Sequence, residues 1–248
     1  MQENITWRRD WLSMYESPLS IYDKICYANV ITQSEFYKYF GCPLSKNISF
    51  LLVRDLDHKK IENIISYPLL SYFQDAISNL SENFLSYKDQ TDDFFCKDLY
   101  YCNTCSLHGY HSLFFQFKFI KNCPFHKDTL KNKCRKCSLP LTYTFYKSNS
   151  ISQCCRNCNE PILIHRDSFP NYRAYTENEF KSQDILDLLY MDEERKQILK
   201  EIIFVGIKQS SSKQDLSSIL HIINEKLRVR QNNSKHRSLL NSDNLFDL

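Results

Sequence analysis

Between Tyr100 and Asn159 the chain carries eight cysteines and three histidines, most of them paired at one short spacing. Cys102 and Cys105 form a C-x2-C pair, and Cys123 with His126 forms a C-x2-H pair. Cys134 with Cys137 and Cys155 with Cys158 make two further C-x2-C pairs. Such a pair suits a tight knuckle that points two side chains at one ion. Zinc takes four ligands in a tetrahedron, with sulfur at roughly 2.3 Å and imidazole nitrogen at roughly 2.0 Å, so two knuckles make one site. Taken in chain order, Cys102, Cys105, Cys123 and His126 are expected to hold one structural Zn2+. Cys134, Cys137, Cys155 and Cys158 are expected to hold the other, at a C-x2-C-x17-C-x2-C spacing within the range of zinc sites. Cys154 competes with Cys155, but only Cys155 keeps the x2 spacing of the other knuckles. His108 and His111 lie outside any knuckle, and His111 is expected to hydrogen-bond or pack near the first site.

Four protein ligands close each coordination sphere, which fits a structural rather than a catalytic ion. A disulfide framework belongs to secreted chains, and Met1 to Arg9 is polar and charged rather than an apolar leader. A redox C-x-x-C needs one pair in a βαβ setting. Phosphate-loop, nucleophile-elbow and H-E-x-x-H patterns are all missing, and Gly41, Gly109 and Gly206 are too scattered to build a phosphate loop. These observations point to a chain that is not an enzyme. No apolar run approaches the roughly 18 residues of a membrane span, so a cytoplasmic protein with no membrane partner is expected.

Charge is unevenly spread. Residues 1–96 carry nine Lys and Arg against thirteen Asp and Glu, residues 97–148 nine against two, and residues 149–248 fourteen against fourteen. Positive charge is thus concentrated on the cysteine segment, the footprint expected of a phosphate-backbone contact. Lys131, Lys133, Arg135 and Lys136 surround the second knuckle. Lys118 and Lys121 interleave with aromatics from Phe117 onward, a pattern found on stacking surfaces. The surrounding strip of Leu113, Phe114, Phe115, Phe117, Phe119 and Ile120 is the core that a small metal module packs onto its neighbour.

These ligands need helices to hold them. Ser17 reads as an N-cap with Pro18 at the first helical position, and the helix runs to about Asn29. Thr32 and Glu35 form a capping box for a second helix that Gly41 stops. The two form either a helix-turn-helix or a plain helical hairpin. Further helices are expected over Asp57 to Ser66, Pro68 to Leu85, Glu177 to Tyr190, Asp192 to Ile207 and Asp215 to Val229. Tyr72, Phe73, Ile77, Leu80 and Phe84 are core candidates, Lys208 to Lys213 a polar break, and Cys26, Cys42 and Cys96 thiols apart from the knuckles. The fold class is an α-rich small-domain protein with tandem zinc-finger, zinc-ribbon-like modules. Its expected parts are an N-terminal helical domain (1–96), a tandem zinc module (97–165), a C-terminal helical region (166–230) and a loose tail (231–248).

The run from Tyr100 to Tyr143 combines C-x2-C, a G-Y-H-S segment, an apolar stretch, C-P-x-H and C-x-x-C followed by L-P-L. In this it resembles the zinc-finger region of the TniQ/TnsD family, target-selection proteins of bacterial cut-and-paste transposons. Tyr15 to Asn29, YESPLSIYDKICYAN, is similar to that family's opening E-S-hydrophobic-S helix, departing from it in that Pro18 and Leu19 both separate Ser17 from Ser20. The resemblance implies an adaptor that binds target DNA, or a guide-RNA targeting complex that marks it. Such an adaptor recruits the transposon's AAA+ ATPase and, through it, the transposase, so that DNA recombination chemistry comes from partners. The other readings of the residues are a zinc-finger transcription regulator unconnected to transposition and a zinc-stabilised protein-interaction scaffold.

Overall fold

A computed structural model of the chain describes residues 5–43, 49–82, 91–165, 175–206 and 215–243. Among them the regular elements are helices, and extended segments meet only as isolated antiparallel bridges. No helix of the described residues is long and apolar enough to cross a membrane.

Helix α1 spans Pro18–Asn29, and Ser17 caps it by accepting the Ser20 N–H, with Pro18 opening the first turn. Val30, in the left-handed region, ends it. Helix α2, Gln33–Phe40, starts at a complete Thr32–Glu35 capping box. Its first free N–H groups are also covered, because Gln33 N donates to Ser150 O and Ser34 N to Ser148 O, each at 2.9 Å. Helix α1 is buried on every residue from Pro18 to Cys26, so of this pair α2 carries the exposed face, at Glu35, Lys38 and Tyr39. Helices α3 (His58–Ile65) and α4 (Leu69–Ser81) follow, with Asp57 capping α3 through the Lys60 N–H. Phe73, Ile77 and Leu80 of α4 enter the core and Tyr72 packs against it, whereas Phe84 lies outside the described residues.

One contiguous apolar cluster takes residues from α1, the metal-ligand region and the C-terminal helices alike. The strip from Leu113 to Ile120 lies at its centre: Leu113, Phe114, Phe115 and Phe117 have no exposed surface. Tyr110, Phe125 and Tyr175 interlock as an aromatic set with ring centroids 4.5 to 5.6 Å apart. Fully burying such rings stabilises by about 2–3 kcal/mol each against exposure, before entropy is deducted.

Two expectations for the C-terminal part change. The helix expected from Glu177 is delayed: residues Glu177–Glu179 make a single 3-10 turn, and α6 runs Gln183–Leu189. The side chain of Glu179 accepts the Thr176 N–H at 2.9 Å, which closes a local turn before the helix can start. Helix α7 covers Glu193–Gly206, and the polar break at Lys208 to Lys213 lies outside the described residues. Helix α8, Leu216–Asp243, runs through most of the segment expected to be a loose tail. Its first half packs through Leu216, Ile219, Leu220 and Ile223, and Arg230 reaches both carboxylate oxygens of Glu201 on α7 at 2.9 and 3.0 Å. From that nucleus the helix propagates one hydrogen bond per residue, and no Gly or Pro interrupts it before Asp243.

Candidate metal centres

Three of the four knuckles repeat one backbone design. In each, the residue four beyond the first ligand (Lys127, Ser138, Asn159) adopts positive φ and donates its N–H back to the first ligand's carbonyl at 2.9 to 3.0 Å. The first ligand's N–H donates to the residue five beyond, Cys123 to Asp128, Cys134 to Leu139 and Cys155 to Glu160, at 2.8 to 2.9 Å. Two extended arms then close behind the turn, through Leu130 to Lys121, Leu141 to Asn132 and Ile162 to Gln153. The fourth pair differs, for Cys102 and Cys105 sit on the single helical turn α5, Asn103–Ser106.

These turns bring the eight expected ligands together in two groups of four. In one, the ligand atoms of Cys102, Cys105, Cys123 and His126 lie within 4.8 Å of one another; in the other, those of Cys134, Cys137, Cys155 and Cys158 do. Cys155 rather than Cys154 joins the second group; the Cys154 thiol points to Ser148 Oγ at 3.6 Å. A tetrahedral ion with sulfur bonds of roughly 2.3 Å places its thiolates about 3.7 Å apart. The Cys105–Cys123, Cys134–Cys158 and Cys137–Cys155 sulfurs are each 3.6 Å apart. His126 turns Nδ1 inward, 3.3 to 3.7 Å from the three sulfurs of its group. Each group can hold one metal ion.

Electrostatics make the same point. Hydrogen bonds from Cys105 and Cys123 hold the Cys102 thiol far below its usual range, while burial and hydrogen bonding with Cys102 push Cys105 far above it. In the second group the Leu139 amide holds Cys137 down to about 6, and Cys158 is pushed up to about 12 despite the opposing Glu160 amide, by burial and the neighbouring thiols. Adjacent thiols cannot all ionise unaided, and a bound dication relieves that conflict.

The groups are seated on α1. Ser17 N donates to His111 O at 2.8 Å, and the Ser17 hydroxyl lies 2.8 Å from His111 Nδ1. Since Ser17 Oγ accepts the Ser20 N–H, its proton is free for Nδ1, and Nε2–H then serves Tyr100 O at 2.8 Å. Ser20 Oγ in turn lies 2.9 Å from Gly109 O and accepts the His111 N–H at 3.2 Å. His111 is therefore a strut and lies outside both ligand groups. His108 pairs with His165 in a backbone bridge.

Sequence reasoning passed over four buried charged or ionisable residues that fasten this joint. Glu16 and Lys24 form an ion pair of 2.7 Å with at most 2% of either side chain exposed. Glu16 also accepts from Ser13 N at 2.9 Å and Ser20 Oγ at 2.5 Å, and Lys24 donates to Trp11 O at 2.8 Å. Asp23 accepts from Gln33 Nε2 at 3.2 Å and from Gln153 N, and faces His165 Nε2 at 2.6 Å. A signal was there: Ser20, Asp23, Lys24 and Tyr27 share one face at helical spacing, which reads as a solvated stripe until something covers it.

The candidate nucleic-acid contacts separate by environment. Lys131 and Lys133 are exposed, and they share a face because they alternate along an extended segment. Lys136 is exposed and only 4.0 Å from Glu160. Arg135 is engaged internally: its Nη2 donates to Ile162 O at 2.6 Å and its guanidinium lies over the Tyr101 ring at 5.9 Å. Exposed Lys121 lines a recess together with Asp184 and Asp215. Lys118 is half-buried, and its N–H donates to Phe94 O at 2.9 Å.

No protein-family model matches the chain, and no curated protein matches it.

Proposed function

We propose that this chain is a zinc-stabilised adaptor that holds nucleic acid beside a protein partner and carries out no bond chemistry of its own. The observation that carries the reading is the placement of Lys131 and Lys133. Both are exposed on one face of the segment between His126 of the first ligand group and Cys134 of the second. Cations fixed between two metal-set turns form a pre-organised contact for a phosphate backbone. Zinc is the metal of choice, because three thiolates with one imidazole, or four thiolates, at tetrahedral spacing match its preferences. With four protein ligands on each ion, the coordination sphere keeps no place for a substrate.

The TniQ/TnsD reading belongs to this proposal. Its support is that the two stretches carrying the resemblance are not separate features: Ser17 and Ser20 hydrogen-bond directly to Gly109 and His111. By that reading the partner is a transposon AAA+ ATPase and the nucleic acid is target DNA, or a guide-RNA complex that marks it. Leu139, 48% exposed on the second knuckle, favours protein contact at the same edge and so keeps the scaffold reading as the second.

The test is fluorescence anisotropy of the zinc-loaded chain with a random-sequence DNA duplex across a salt series. Replacing Lys131, Lys133 and Lys136 with Gln should weaken binding uniformly across sequences. It should also lower the salt slope by about one unit per phosphate contact removed. Duplex binding that is absent, or unchanged in the triple variant, hands the edge to the scaffold reading.

A further inference from the structure

The knuckle repeat places an arginine directly after the first ligand twice, at Arg135 and at Arg156. Both guanidiniums lie over a tyrosine, Arg135 on Tyr101 at 5.9 Å and Arg156 on Tyr146 at 4.7 Å. The first, though also exposed, is engaged within the chain by its bonds to Ile162 O and Ser106 Oγ. The second makes no hydrogen bond or ion pair within the described residues and is exposed. It stands at a shallow recess of about 90 Å³, open to solvent, lined also by Leu139, Thr144, Tyr146 and Gln153. Gln153 is 3% exposed, and its Nε2 donates to Thr144 O at 2.7 Å. Its Oε1 is buried with no hydrogen-bond partner. A buried carbonyl oxygen left this way is costly, and a guest that brings an N–H donor to the recess Gln153 lines would relieve that cost.

We propose that this recess takes one unpaired nucleobase of a single-stranded nucleic acid. The requirements on the guest are a flat ring, an N–H donor on its edge and a nearby anion. The Arg156 guanidinium over the Tyr146 ring offers a cation–π pair against which a base can lie, since unstacked bases lie on both aromatic rings and guanidinium planes. Gln153 Oε1 accepts from the base's exocyclic amine, and the Arg156 edge is left for the adjoining phosphate. A duplex buries its bases and cannot fill the site without opening, so this contact is distinct from the duplex contact of Lys131 and Lys133. The inference rests on the nucleic-acid reading above and narrows it to unpaired strands at this edge.

The experiment measures anisotropy of the zinc-loaded chain with labelled six-nucleotide adenine strands, as DNA and as RNA, beside a blunt DNA duplex. A third strand carries purine without the exocyclic amine. The proposal expects the Arg156→Gln and Tyr146→Leu variants to lose about ten-fold in single-strand affinity while duplex affinity holds. Loss of the amine should cost the native chain a similar factor. The DNA and RNA arms show which strand is preferred. Zinc content and melting temperature should stay unchanged in both variants, since neither residue is a ligand. Equal loss for single strand and duplex would reduce Arg156 to one more phosphate contact and overturn the site. So would indifference to the missing amine, or a protein partner that is lost with Arg156→Gln while strand affinity stays intact. If duplex binds through the lysines but single strands do not bind, this inference fails alone; if neither binds, both readings fail.

Discussion

His165 and Asp23, far apart in sequence, meet with Nε2 2.6 Å from Oδ2 and with neither side chain exposed. The Tyr27 ring stacks on the imidazole at 4.3 Å, and Gly109 backs it so closely that a Cβ there would lie 2.2 Å from His165 Nδ1. Gly109 also has φ of +65°, so space and backbone both require glycine. Helix α1, the turn after the Cys102–Cys105 knuckle and the chain beyond the Cys155–Cys158 knuckle are locked together at this point.

Asp23→Ala should therefore cost about 3 kcal/mol of folding stability, because Gln33 Nε2, Gln153 N and His165 all lose their acceptor in the interior. Urea unfolding of the zinc-loaded protein checks this. An unchanged midpoint would mean that the joint does not hold α1.

The Glu16–Lys24 pair should show strong non-additivity. Lys24→Met alone strands a buried carboxylate and should cost about 3–5 kcal/mol, while Glu16→Gln with Lys24→Met should recover much of the loss. A double variant as unstable as the sum of the two singles would deny the coupling.

His58 supplies a pH dependence. Burial lowers its pKa below the usual 6.5, against the charges of Glu62 and Asp57, and Nδ1 faces the Tyr22 hydroxyl at 2.7 Å. Folding thus favours the neutral ring. Its contribution is complete above pH 6.5 and is lost as pH falls from there through the lower folded-state value. His58→Gln should flatten the fall in stability as pH drops below about 6.5, measured with zinc content monitored alongside. Equal slopes in native and variant protein would assign the acid sensitivity to the metal ligands alone.

Arginine and lysine at the second knuckle should part company. Arg135→Gln removes the Ile162 and Tyr101 contacts and should cost about 1 kcal/mol of stability. The Lys131, Lys133 and Lys136 substitutions should leave stability within about 0.5 kcal/mol and act on nucleic-acid binding. Thermal melts of the two variant sets read the difference, and a destabilised lysine set would contradict the assignment.

The ligand pairs were legible in the sequence because x2 spacing is imposed by a turn and owes nothing to distant residues. The caps at Ser17 and Thr32 were legible for the same reason. What could not be read was coverage. The stripe of Ser20, Asp23 and Lys24 looks like a solvated helix face, and only the arrival of Gly109, His111 and His165 makes it interior. Arg135 looked like its lysine neighbours until the Cys155–Cys158 knuckle placed Ile162 O within its reach. The length of α8 could not be read because the polar composition of its end is that of a tail, whereas an unbroken helix needs only a packed start.

The central claim is that two closed metal sites hold this region together, and elemental analysis of the purified protein tests it most directly. The two ligand groups predict two zinc ions per chain, and one after Cys134 and Cys137 are both replaced by Ser, with the first site retained. Chelation should unfold the region around both knuckle pairs. Protein that purifies without zinc, or that keeps its fold unchanged in chelator, would contradict the account.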